Sequence, residues 1–72
     1  MSKSKVIKEI TDRNLYEIAS DVQIGKGYLS DVLNGKRQPS LKLCIALQNV
    51  TQIHYLYFLL PQREANLFLI KI

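Results

Sequence analysis

Lys26, Lys36 and Arg37 flank one short apolar stretch, and Lys3, Lys5 and Lys8 crowd another near the N-terminus, whereas residues 43–62 hold no Lys, Arg, Asp or Glu at all. The formal charge is +4 and the pI about 9.4. Cations distributed in this way suit a polyanionic partner, or else a solvated basic face. Other chemistry lacks its parts. His54 has no acid, base or thiol within two helical turns, Cys44 reads as a small buried hydrophobe, and Glu17, Asp21 and Asp31 are expected on separate exposed faces. A structural zinc site needs about four Cys/His ligands, and the chain has one Cys and one His. No metal, no cofactor and no enzymatic activity are expected.

A single cysteine forbids an internal disulfide and fits a reducing cytoplasm. No apolar signal-peptide core follows the first lysines, and no apolar run approaches the ~20 residues of a membrane span. A cytoplasmic chain without membrane contact is the expectation.

The elements that must position those cations are short. Ser4 can cap a first helix that turns Val6, Ile7 and Ile10 to one side, and residues 11–14 break it. Asn14 can cap a second helix over about 15–22, with Ile18, Ala19 and Val22 inward. Residues 23–25 form a tight connection to a third helix over about 26–33, with Leu29 and Val32 inward and Leu33 at the edge of that face. Asn34-Gly35 ends it, because Gly tolerates the left-handed conformation common at helix C-termini. Ser40 caps a fourth helix carrying Leu41, Cys44 and Ile45. A fifth begins at Thr51 or Gln52, runs through Ile53, Leu56 and Leu60, and stops at Pro61. The pattern predicts an all-α, five-helix domain over residues 1–61. A short apolar tail, 62–72, ends in NLFLIKI, which fits strand or helix equally.

From residue 7 to residue 56 the chain resembles the Cro/CI-type (XRE-like) helix-turn-helix family of phage, plasmid and bacterial regulators. Ile18-Ala19 is similar to the family's Leu-Ala pair, whose small Ala lets the two short helices cross closely. Tyr28-Leu29-Ser30 resembles the recognition-helix pattern. Asn34-Gly35-Lys36-Arg37 with Pro39-Ser40 resembles the family's loop, and Ile45-Ala46 its fourth-helix pair. The resemblance implies that the first short helix crosses the phosphate backbone and the second enters the major groove. Lys26, Gly27, Tyr28 and Asp31 would then face bases, with Ser30 nearby. Lys26 would donate to guanine, Asp31 would accept from cytosine N4 or merely be solvated and repel phosphate, and Tyr28 would meet a thymine methyl or a phosphate. Asn34, Lys36 and Arg37 would hold phosphates and set register. Lys3 and Lys5 would form a basic arm or a disordered end.

Several residues depart from the family pattern. Gln23 stands where a turn glycine is usual, and a left-handed Gln costs on the order of 1 kcal/mol. Gly25 is a weaker cap than Ser or Thr. Gly27 costs roughly 1 kcal/mol against Ala inside a helix. Leu15 replaces a phosphate-binding Gln, Lys8 and Leu33 replace an Arg–Glu pair, and Asn49 stands at a core Leu position. These departures describe a softer reading head.

Apolar residues are 47% of a chain of 72 residues, high for so small an interior. Tyr55, Tyr57, Phe58, Leu59, Leu67, Phe68, Leu69 and Ile70 cannot all be placed on one helix face. They are core, or they form a surface for a partner. The implied function is a DNA-binding transcriptional regulator of a phage or mobile-element switch. It would bind double-stranded operator DNA, as a homodimer or a heteromer with a CI-like repressor, in the host cytoplasm, with no small-molecule ligand. Two alternatives stay open: an antirepressor that works by binding the repressor, and the antitoxin of a toxin–antitoxin pair.

Overall fold

The computed structural model describes residues 3–69. Six short helices follow one another: α1 Lys3–Thr11, α2 Leu15–Asp21, α3 Lys26–Leu33, α4 Leu41–Thr51, α5 Tyr55–Leu59 and α6 Gln62–Ala65, with a 3-10 turn at Asn66–Phe68. The fold is all-α, and no strand occurs among the described residues. None of the helices is long and apolar enough to cross a membrane. The described residues hold no group of three potential metal ligands.

Local chemistry sets most boundaries. Asn14 accepts from the Glu17 amide at 3.0 Å and starts α2. Ser40 accepts from the Leu43 amide at 3.1 Å and starts α4. Helices α2 and α3 both end in the same two-bond motif. After α2 the Ile24 amide reaches Ala19 O at 2.9 Å and the Gln23 amide reaches Ser20 O at 3.1 Å, with Gln23 at φ 60°. After α3 the Lys36 amide reaches Asp31 O at 2.8 Å and the Gly35 amide reaches Val32 O at 3.2 Å, with Gly35 at φ 80°. This pairing satisfies carbonyls that a helix end otherwise leaves bare. The helix α1 already includes Ser4, so that residue lies inside the first turn and is not its cap.

One core unites the helices. Ile7 of α1, Ile18 and Ala19 of α2, Leu29, Val32 and Leu33 of α3, and Leu43, Cys44 and Leu47 of α4 are buried together. Asn49 is exposed, and α4 turns Leu47 and Thr51 inward on either side of it. Leu41 and Ile45 face outward, 54% and 41% exposed.

The largest departure from expectation is at the start of α5. Helix α4 continues to Thr51 and ends on Gln52, which is left-handed at φ 65°. Ile53 is fully buried between the helices. The next helix begins only at Tyr55, capped by His54 Nδ1, which accepts from the Leu56 amide at 3.1 Å. Thr51 Oγ1 donates to Leu47 O and accepts from the Ile53 amide at 3.2 Å, while Gln48 Oε1 accepts from the Tyr55 amide at 2.9 Å. These bonds replace the helical ones lost at the break. The break resets the helical phase, so Tyr57 and Phe58 point into the core, 0% and 2% exposed, with rings edge-on at 5.6 Å. Leu56 and Leu60, expected inward, are only half-buried. Tyr57 and Phe58 are therefore taken from the expected partner surface by the chain's own interior.

The apolar tail is helical where it is described. Pro61 O accepts from the Glu64 and Ala65 amides at 3.1 and 2.8 Å. Ala65 is fully buried, and Phe68 and Leu69 pack half-buried against the core. Leu67 points away and is 79% exposed. Ile70, expected on the same partner surface, lies outside the described residues.

Candidate nucleic-acid interface

Helices α2 and α3 pack against each other, joined by the tight turn at residues 22–25, and Ala19 of α2 is buried in the shared core, 2% exposed. Leu29, Val32 and Leu33 anchor one face of α3 in the core. The opposite face is thereby forced outward, since residues three and four apart share a side of a helix. Lys26, Gly27 and Tyr28 are exposed there, and Ser30 and Asp31 are half-exposed behind them. Gly25 opens α3 from an extended conformation with no side-chain cap bond. The loop of Asn34, Gly35, Lys36 and Arg37 is exposed directly after the helix.

Contacts tie most of these side chains together. The Arg37 guanidinium lies over the Tyr28 ring at 5.6 Å, and its Nε is 3.5 Å from Asp31 Oδ2. Asn34 Nδ2 donates to Ser30 Oγ at 3.3 Å. Thus Asp31, free in sequence to meet a base or solvent, is placed against Arg37. Both side chains remain largely exposed, so this pair contributes little stability and opens easily toward another anion. Lys36 is fixed through its backbone only, its side chain projecting from the loop.

Sequence reasoning passed over Tyr16. Its ring, 68% exposed on the second residue of α2, lies 4.8 Å from Lys26 Nζ. An aromatic on the second residue of α2, off the face that carries Ile18, Ala19 and Val22, is the signal that would have found it. The contact spans the two helices, and a cation held on a ring face keeps its charge while losing freedom. The acids of α2 also differ from expectation. Glu17 and Asp21 share one side of the helix and both engage Arg13, the former at 3.6 Å. The hydrogen bond that Arg13 donates to the Asp21 carboxylate is the main cause that holds its guanidinium above the ordinary pKa. Arg13 is thereby occupied locally, and the basic character of this flank rests on Lys26, Lys36 and Arg37.

The partner surface expected in the C-terminal part is reduced. Tyr55 is half-buried with its ring stacked on His54 at 4.9 Å, and His54 also meets Phe68 at 5.4 Å. Leu59 and Leu69 are half-buried. Among the described residues the large exposed aliphatic side chains are Leu67 and, on α4, Leu41 and Ile45.

Residues 9–58, well over half of the chain, match the family model described as helix-turn-helix. The chain belongs to the helix-turn-helix family, and in class it is a DNA-binding regulatory domain. Searches of curated proteins and of solved structures find no match to it.

Proposed function

We propose that this protein is a sequence-specific regulator that reads operator DNA with α3 and opposes a CI-like repressor in a phage or mobile-element switch. The observation that carries this reading is the outward face of α3, continuous with the basic loop 34–37, in a chain of the helix-turn-helix family. Lys26 and Tyr28 supply the base-directed side chains, and Gly27 lets the backbone approach closely. Ser30 and Asp31 stand behind them. Asn34, Lys36 and Arg37 take phosphates, Arg37 exchanging Asp31 for the DNA. We assign residues 1–61 to the reading unit and 62–72 to a segment that packs on it and offers Leu67 outward. A homodimer places two such helices about 34 Å apart, one turn of DNA.

A second reading has its own support. Leu41, Ile45 and Leu67 stay exposed, and Arg37 is already partly neutralised by Asp31. A chain with weak DNA contacts and spare apolar surface suits an antirepressor that covers the repressor. An antitoxin role shares the fold and would require a toxin gene next door.

Binding to a labelled duplex from the intergenic region beside the gene tests the first reading. The measurement is run at several salt concentrations against scrambled DNA of equal length. Preference for the intergenic duplex, with a linear log–log salt slope, supports operator reading, and the slope counts the phosphates engaged. Equal, weak binding to both duplexes rejects it and turns the search to the repressor encoded nearby.

A further inference from the structure

We propose that the cleft between the start of α1, the α3–α4 loop and the end of α5 is a binding site for a small organic monoanion with an apolar body. This goes beyond DNA reading, does not depend on it, and departs from the sequence-based expectation of no small-molecule ligand. The cleft has a volume of about 440 Å³, within the ~300–1,000 Å³ usual for small-molecule sites. Its apolar wall is formed by Leu33, Phe58, Leu59, Leu60 and Pro61.

Lys3 lines the same cleft and is only 6% exposed. Its Nζ donates to Leu60 O at 2.6 Å and lies 5.5 Å from the Tyr57 ring centre. No carboxylate among the described residues forms an ion pair with it. An ammonium has three donors, and a carbonyl and a ring face do not balance a buried positive charge. A ligand carboxylate would do so, through a charge-assisted hydrogen bond. Arg37 stands on the rim with Asn34, Gly35 and Gln38, but its charge is shared with Asp31. The complementary ligand therefore carries one negative charge beside an aliphatic or aromatic body.

Octanoate is the probe. Amide NMR shifts are followed as it is titrated, with octanamide and inorganic phosphate as parallel arms. Saturable shifts at Lys3, Gly35, Leu59 and Leu60 are expected with octanoate. Octanamide should bind roughly ten-fold more weakly, the worth of one charged hydrogen bond. Lys3→Met should weaken octanoate by about the same ten-fold factor, and Gln38→Glu, which adds a negative charge at the exposed rim, by about three-fold. Absence of shifts, equal binding of octanamide, or the same shifts with phosphate alone would overturn the proposal. So would unchanged octanoate affinity in Gln38→Glu, the variant that decides the matter if Lys3→Met does not fold.

Discussion

At the scale of single residues, the reading face separates cations by what holds them. Lys26 is steadied on Tyr16 at the mouth of α3, whereas Lys36 projects from a loop without such a support. Lys26→Ala is therefore expected to flatten the preference among duplex sequences. Lys36→Ala should weaken all duplexes evenly and reduce the salt slope by about one unit. Competition binding against a panel of single-base variants distinguishes them, and an even loss for Lys26→Ala removes it from the base-reading set. Lys3 carries a different signature. Burial is the main cause that lowers its pKa, so the folded protein holds that proton less firmly than the unfolded chain. Between the lowered folded value and the ordinary lysine value, the unfolded state binds more protons. The Lys3 contribution to stability thus rises with pH through that window. Urea titrations at stepped alkaline pH should show wild type gaining relative to Lys3→Met. A constant difference between the two would mean that the ammonium is not desolvated.

At the scale of elements, two residues of the reading head are conformationally expensive. Gln23 holds the left-handed position that closes the end of α2, at φ 60°. Gln23→Gly should raise stability by about 1 kcal/mol, read as a shift of the urea midpoint without a change in slope. No shift would show that the extra freedom of glycine in the unfolded chain cancels the relief. Gly27 lies within α3, and a Cβ built there meets nothing within 4 Å. Gly27→Ala should accordingly stabilise the fold by about 1 kcal/mol. If the first turn of α3 lies against base edges, the same methyl should weaken binding to the preferred duplex. A more stable variant with unaltered duplex affinity would place that turn away from the groove.

At the scale of the whole molecule, one small core must hold the six described helices, and a fold of this size has little stability in reserve. Cys44 reports on it. The thiol is fully buried in the core, and burial is the main cause that pushes its pKa above the ordinary thiol value. Alkylation by iodoacetamide at neutral pH should be slowed on the order of 100-fold or more relative to the denatured chain, because reaction waits for the core to open. A native rate close to the denatured one would mean that the core around α4 opens readily. The exposed Leu41, Ile45 and Leu67 belong to this scale too, as the apolar area that the core leaves uncovered.

Much of the reading head was legible from residues alone because its determinants are local. Asn14 and Ser40 cap the helices they precede, and Gly35 ends α3. Each of these acts within a few residues of itself, and spacing reveals it. The rest required contacts between distant segments. Gln52 breaks the α4–α5 stretch because Thr51, Gln48 and His54 supply replacement bonds across the break, and an apolar run carries no mark of that. That break rotates Tyr57 and Phe58 inward and leaves Leu56 half out. Tyr16 under Lys26, Asp31 against Arg37, and Lys3 folded onto Leu60 each join residues whose proximity follows from how helices pack. Local chemistry determined where the helices begin and end. Tertiary packing decided which of their faces remained free, because burial is settled by the whole core at once and not by any one segment.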